Sequence, residues 1–349
     1  MQMIQGLQIN NYKSIRQVNL SCSKINVFIG EPNVGKSNIL EALDLTYLSS
    51  FFNINEKITK AGYENINIKE YFRVNKASDL FHLGDLSKPI SVIHPGFSYD
   101  FSVRFKSDNE KNIFQWEKSD GGITAFNNDF EPEVNTGYFA SPIKPYRYKG
   151  NAAFHDIGNY LDMLMPPFGN NLVEVIKHNP TFLDLIGNLI KDYGFELNIN
   201  TASGEILIQL RINKGVVYSL PWKAMAETLK RFIFYIAVIR HNNAHIVTLE
   251  EPEVHSFPKY ISSLADEIIQ AKDRQFFIAT HSPYLLNNLI ENTPSHELSV
   301  FVCGYNKENF ETTVKKLSDD DLSELLNFGV DIFFNINRYA DNGRKLICN

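Results

Sequence analysis

Apolar and polar positions alternate over residues 4–9 and recur at Val18 and Leu20, the two-residue period of half-buried strands. Residues 25–29 (Ile-Asn-Val-Phe-Ile) form a short apolar run that ends on a glycine. A helix follows from about residue 35 to 49, with Ile39, Leu40, Leu43 and Leu45 as its apolar positions. Residues 51–150 are mixed: 91–105 and 112–117 alternate like strands, and Gly121-Gly122 and Asn127-Asn128-Asp129 read as turns. Residues 153–193 read as helical but broken, because Pro166-Pro167 and Asn179-Pro180 interrupt them. No heptad is sustained there. Even an unbroken helix of that length would span only roughly 60 Å at about 1.5 Å per residue, so no long coiled-coil arm is expected.

Further along, residues 195–199 and 206–212 predict a hairpin around Ser203-Gly204. Next come a helix at 222–240, a strand at 246–249, a helix at 257–271, a strand at 276–279 and a helix at 284–290. That alternation predicts a parallel α/β sheet, closed by strands at 298–303 and 312–317. Asp319-Asp320-Asp321 reads as the cap of a last helix running through Leu326.

Composition narrows the class without changing this picture. The chain has 349 residues, 44% hydrophobic and 21% charged, the balance of a soluble globular protein with room for one large domain or two modest ones. A net charge of −6 does not favour bulk nucleic-acid binding, so a DNA contact would need a local basic patch. Ile143-Lys144-Pro145-Tyr146-Arg147-Tyr148-Lys149 interleaves bases with aromatics, a pattern that suits a nucleic-acid backbone but equally an ordinary exposed loop. The three cysteines, Cys22, Cys303 and Cys348, form no metal or disulfide pattern. With no signal segment and no apolar run long enough to span a bilayer, the cytoplasm is the expected location, and no membrane partner is expected.

Three motifs carry chemistry. Gly30-Glu31-Pro32-Asn33-Val34-Gly35-Lys36-Ser37 fits the phosphate-binding pattern G-x-x-x-x-G-K-[ST] at every fixed position, between a strand and a helix. Glycines let successive N–H groups curl toward phosphates, and the helix N-terminus adds its positive end. The expected ligands are ATP and Mg²⁺. Gly30, Asn33, Val34, Gly35, Lys36, Ser37 and Asn38 should cradle the nucleotide, with Lys36 on the β- and γ-phosphates and the Ser37 hydroxyl on the metal. Second, the apolar strand at 246–249 runs into Glu250-Glu251-Pro252-Glu253. At the edge of a parallel sheet this sets Glu250 to hold Mg²⁺ and Glu251 to orient or deprotonate the attacking water; a solvated acidic loop is the plain alternative. Third, Thr280-His281-Ser282-Pro283 ends the next strand, where His281 can sense the γ-phosphate, or simply be a satisfied polar residue.

Together these motifs resemble the ABC-type ATPase heads of SMC, RecF and OLD proteins, and most of all the RecF/OLD-like AAA ATPases of prokaryotic phage-defence and retron systems. Glu250-Glu251-Pro252-Glu253 is similar to that group's Walker B segment, Thr280-His281-Ser282-Pro283 to its switch histidine, and Asn11-Tyr12-Lys13-Ser14-Ile15 to its opening motif. The resemblance implies an α/β P-loop NTPase fold: a single ABC-type ATPase head over residues 1–349, with an antiparallel β lobe and a helical insertion at about 153–193. It further implies that Lys13 and Ser14 lie near the nucleotide. It implies ATP sandwiched in a head-to-tail homodimer or higher homo-oligomer. The expected function is an ATPase, slow in turnover, that controls a partner effector, a nuclease or toxin, in anti-phage defence. The alternatives are an ATP-dependent scaffold that sequesters a toxic effector, or a RecF-like DNA-repair ATPase acting on DNA.

Two departures bear on this. Where the family carries a Ser-x-Gly signature, this chain has Ala226-Glu227-Thr228, and where it carries Leu-His-Pro, this chain has Ser256-Phe257-Pro258. No acidic cluster of an OLD-type nuclease follows the closing strands, so the effector is expected on another polypeptide.

Overall fold

The computed structural model describes residues 3–60, 65–95, 101–108, 111–118, 122–135, 141–150, 164–200, 205–213, 215–240, 245–328 and 331–340. In chain order the elements begin with β1 (Gly6–Tyr12), β2 (Ile15–Ser21), β3 (Ile25–Gly30), α1 (Lys36–Asp44), α2 (Leu48–Lys60) and α3 (Ile68–Tyr71). Then follow β4 (Ile90–Ile93), β5 (Phe101–Asp108), β6 (Lys111–Lys118), β7 (Ile123–Asn127), β8 (Pro132–Asn135) and β9 (Ile143–Tyr146). Next are α4 (Leu172–His178), α5 (Pro180–Lys191), β10 (Phe195–Ile199), β11 (Ile206–Asn213), β12 (Val216–Pro221) and α6 (Glu227–Arg240). The remainder comprises β13 (Ile246–Glu250), α7 (Pro258–Gln270), β14 (Gln275–Ala279), α8 (Pro283–Asn292), β15 (Leu298–Asn306), β16 (Glu311–Lys316), α9 (Asp319–Phe328) and α10 (Ile336–Tyr339).

The chain divides into two compact units. The first comprises residues 1–145, 244–251 and 272–349, and the second residues 146–243 and 252–271. In the first unit, seven strands in the order β2-β1-β4-β5-β6-β7-β8 make an antiparallel sheet, the expected β lobe. Six more, in the order β16-β15-β3-β14-β13-β9, make the second sheet. There β15, β3, β14 and β13 run parallel, and β16 closes antiparallel to β15. All six residues of β3 are buried, as a central strand covered on both faces requires. Phe28 stacks on Phe301 at 5.1 Å and on Phe277 at 6.5 Å, tying β3 to both neighbours. The arrangement is that of an ABC-type P-loop ATPase head, as the motifs implied.

The register aligns three strand ends. Phe28 pairs with Ala279, and Ala279 with Glu250, so the segments that follow β3, β14 and β13 emerge along one carboxyl edge. α1 packs beneath that edge on β3, β13 and β14.

Several expectations are corrected in detail. The helix expected at about 35–49 ends as α1 at Asp44, passes through one tight turn (Leu45–Tyr47) and resumes as α2 to Lys60. Leu48, Phe51 and Phe52 keep the stretch buried, and no glycine or proline stops it. The basic–aromatic segment is not simply a loop: its first four residues form edge strand β9, with Ile143 and Tyr146 each 1% exposed. The cap of α9 is Ser318, not the aspartates. Its hydroxyl accepts from the Asp321 N–H (3.1 Å) while the Asp321 carboxylate accepts from the Ser318 N–H (2.9 Å), and the three acids fill the first turn.

In the second unit the expected hairpin is a three-stranded meander, β10-β11-β12, because Gly215 in a left-handed conformation (φ +90°) returns the chain once more. Helices α4 and α5 fall inside the expected insertion. Asn179 is the N-cap of α5, accepting from the Phe182 N–H at 2.9 Å, and Pro180 occupies its first turn, so the Asn-Pro break is a helix start. Residues 153–163 with Leu161, the turn at Ser203-Gly204, Gly121 and Cys348 lie outside the described residues. Among the described residues no helix is long and apolar enough to cross a membrane.

Candidate nucleotide-binding site

The loop between β3 and α1 takes its shape from its glycines. Gly35 caps α1 with φ +96°, a conformation that side chains rarely adopt. A Cβ there would lie 2.1 Å from Thr312 Oγ1 and 2.7 Å from Ser14 Oγ. At Gly30 it would lie 2.5 Å from the Cys303 carbonyl oxygen. Asn33, also left-handed at φ 63°, completes the curl, while Glu31, Pro32 and Asn33 form an exposed rim.

Lys36 opens α1 and is 5% exposed. Its ammonium donates to the carbonyls of Gly30 (3.0 Å) and Glu31 (2.8 Å), and so lies across the mouth of the loop. Burial lowers its pKa from the ordinary value, and the carboxylates of Glu251 and Glu250 pull the other way. Those carboxylates belong to the acidic edge, so their charges reach the loop lysine. Cys303, beside Gly30 in the register, is pushed up to about 12 by burial and stays a neutral thiol.

A hydroxyl network backs the loop. Asn38 Nδ2 donates to Ser14 Oγ at 2.7 Å, Ser14 Oγ lies 2.6 Å from Thr312 Oγ1, and Thr312 Oγ1 donates to the Val34 carbonyl at 2.9 Å. The Thr312 N–H also donates to the Ser14 carbonyl at 2.7 Å. Ser14 is therefore brought to the loop as a brace. The Lys13 ammonium binds Glu41 at 2.5 Å and the Phe72 carbonyl, and its own carbonyl meets His82 Nδ1 at 2.7 Å.

At the acidic edge, Glu250 ends β13 and Glu251 follows in a left-handed conformation (φ 44°), its N–H donating to the Ala279 carbonyl at 2.9 Å. That kink turns the two carboxylates to different company. Glu250 is paired with Arg73 at 3.1 Å. Glu251 Oε1 lies 3.6 Å from His281 Nε2, and their side chains are 42% and 37% exposed. Burial and the nearby Lys36 ammonium hold the His281 imidazole below its ordinary pKa, against an upward pull from Glu251. Ser282 caps α8, accepting from the Leu285 N–H at 3.2 Å, and donates its own N–H to Thr280 Oγ1 at 2.9 Å. Below the edge, buried Asp44 accepts from Thr248 Oγ1 (2.6 Å) and Tyr71 Oη (2.7 Å), which joins α1 to β13.

The structure thus gathers Gly30, Asn33, Val34, Gly35, Lys36, Ser37, Asn38, Ser14, Glu250, Glu251 and His281 about one loop and sheet edge. Ser37 and Glu250 supply hard oxygen donors of the kind Mg²⁺ takes, one or two from protein and the rest from phosphate and water. Among the described residues no group of three or more His, Cys, Asp or Glu is placed to hold a metal ion. Arg73, Glu41 and Thr312 escaped sequence reasoning. Glu41 carried one signal, a carboxylate among the apolar positions of α1; Arg73 and Thr312 carried none, being remote in sequence from the loop.

The signature-equivalent segment lies in the second unit. Ala226 immediately precedes α6, and its carbonyl accepts from the N–H groups of Leu229 (3.0 Å) and Lys230 (3.2 Å). Thr228 Oγ1 donates to the His255 carbonyl at 2.5 Å. Ala226 and Thr228 also line an apolar cavity of about 340 Å³ with Ile190, Phe195, Ile208 and Tyr260.

Several known proteins are similar to this chain. Residues 3–172 match the family model described as "AAA ATPase domain", and residues 166–287 match the one described as "AAA domain, putative AbiEii toxin, Type IV TA system". An "ATP/GTP phosphatase" of Helicobacter pylori (strain ATCC 700392 / 26695) is 22% identical over 320 residues, covering 80% of this chain and 85% of that protein. Among solved structures, the Smc head domain from Pyrococcus furiosus bound to the C-terminal domain of ScpA is similar with a TM-score of 0.49, at 14% identity over 93% of this chain and 98% of that one. The SMC head domain from Thermotoga maritima gives a TM-score of 0.43 at 12% identity, over 91% and 100%. The family matches and the site together support a P-loop ATPase of the AAA type.

Proposed function

We propose that this chain binds Mg-ATP at the β3–α1 loop and hydrolyses it. The observation that carries the reading is the convergence at one sheet edge: Lys36 lies across the loop and feels both Glu250 and Glu251, and Glu251 lies 3.6 Å from His281. The backbone N–H groups from Val34 to Asn38 and the Lys36 ammonium bind the triphosphate, which takes the place of the carbonyls Lys36 now holds. Ser37 and Glu250 would hold a Mg²⁺ ion, which would supply positive charge to the phosphates. Glu251 orients a water for in-line attack and accepts its proton. His281 hydrogen-bonds the γ-phosphate and reports its loss.

Hydrolysis is useful only if something bound distinguishes the two nucleotide states. We therefore assign the chain to the control of an effector protein, a nuclease or toxin, with ATP joining two copies head to tail. The toxin-system description of the matching family favours this setting over DNA repair. A second reading, a slow ATP-held scaffold, is favoured by one observation: Thr228, where the family has glycine, carries a side chain whose hydroxyl is committed to the His255 carbonyl, and Ala226 offers no hydroxyl to a partner's nucleotide.

Two substitutions test the site. Lys36→Ala should abolish Mg-ATP binding in calorimetry, and Glu251→Gln should bind ATP as the parent does while losing about 10²-fold or more of its turnover. Unchanged affinity in the first, or parental turnover in the second, would remove the assignment. Competition with GTP decides the base preference.

A further inference from the structure

Arg73 follows α3 in a left-handed conformation (φ 51°), its N–H donating to the Glu70 carbonyl at 3.2 Å, so its backbone is fixed as a helix terminus. Its side chain is 49% exposed and spans two carboxylates, meeting Glu41 Oε1 at 2.5 Å and Glu250 Oε1 at 3.1 Å. The two carboxylates differ in kind. Glu41 is wholly buried on α1 and is also held by Lys13 at 2.5 Å and by the Tyr12 hydroxyl at 3.3 Å. Without cations it would be a buried, unpaired charge, so it anchors the guanidinium. Glu250 sits at the strand end, 15% exposed, at the acidic edge. Two carboxylates and two cations thus meet at this point.

We propose that Arg73 is a built-in counter-cation for Glu250 that competes with the divalent ion for the same carboxylate. A guanidinium and a dication on one carboxylate repel each other, so loading the metal requires Arg73 to leave Glu250. The geometry permits this. Glu41 retains Lys13 when Arg73 turns away, and the half-exposed guanidinium reaches water without moving its backbone. The pair thereby raises the concentration of metal–nucleotide needed to load the site. The proposal rests on the reading of Glu250 as a metal ligand.

The test is Mn²⁺ binding followed by electron paramagnetic resonance, on the full chain with a non-hydrolysable ATP analogue. Arg73→Gln should bind Mn²⁺ about threefold to fivefold more tightly, the size of a half-exposed ion pair. Arg73→Lys keeps the charge but cannot span both carboxylates. It should fall between the two, and it keeps the test open if the glutamine variant does not fold. Mn²⁺ affinity that stays at or below the parental value in the folded variants overturns the proposal. Glu250→Gln separates the two claims. If it weakens Mn²⁺ binding while the Arg73 variants change nothing, the counter-cation role alone fails. If it leaves Mn²⁺ binding unchanged, the metal-ligand reading fails and the proposal with it.

Discussion

At Lys36 burial and the nearby carboxylates pull in opposite directions, and the ammonium lies on two loop carbonyls within the field of Glu251 and Glu250. His94 shows burial acting alone. It is 1% exposed, and desolvation lowers its pKa from 6.5 to about 4. The unfolded chain then binds a proton that the folded chain refuses between those two values. Stability from this residue is present above about pH 6.5 and lost as pH falls toward 4. Between pH 7 and pH 5 the loss should be about 2 kcal/mol. Urea denaturation at the two pH values measures it, and His94→Met should flatten the difference; an equal loss in variant and parent would clear His94 of the effect. The motif residues were legible at this scale because eight consecutive positions, Gly30 to Ser37, are recognised locally by backbone freedom and charge. Arg73 was not. Its meaning comes from Glu41 and Glu250, 32 and 177 residues away (73 − 41 and 250 − 73), which no local pattern joins.

Among elements, the strands and helices that carry the site were legible because each is a mostly apolar, buried strand followed by a helix with an apolar face. β3, β13 and β14 fall within a residue of expectation. What periodicity could not show was the order β15-β3-β14-β13, which puts the histidine strand between the lysine and the glutamates. Nor could it show that β16, remote in sequence, would brace the phosphate loop. Thr312 on β16 is 2% exposed and donates to the Val34 carbonyl while meeting Ser14. Thr312→Val keeps the shape and removes both contacts, leaving a buried carbonyl short of a donor. It should cost about 1–3 kcal/mol in chemical denaturation and weaken ATP binding, whereas Thr312→Ser should retain both properties. If valine binds ATP as tightly as threonine, the brace is structural and does not shape the loop. Strand β12 escaped prediction because Val-Val-Tyr-Ser-Leu-Pro is brief, ends in proline and is largely exposed, so no buried face marks it.

At the scale of the whole molecule, everything expected to touch phosphate or metal lies in the first compact unit, and the segment equivalent to the family signature lies in the second. In the proposed head-to-tail pair, the nucleotide site of one chain would meet the second unit of its partner. Ala226 and Thr228 stand at the start of α6, where backbone N–H groups and the helix dipole favour an anion even without the signature serine. Closure on ATP should therefore survive the altered signature, with slower turnover. Glu251→Gln, which binds ATP without consuming it, should double its mass in light scattering when Mg-ATP is added and remain a single chain with Mg-ADP. Adding Ala226→Arg should prevent the doubling by crowding that helix terminus, while the single chain still binds ATP because Ala226 belongs to the other unit. If the mass doubles regardless of Ala226→Arg, assembly uses another surface. If Glu251→Gln never doubles while ATP is bound, the head-to-tail arrangement is wrong, and nucleotide state must reach the effector through a single chain.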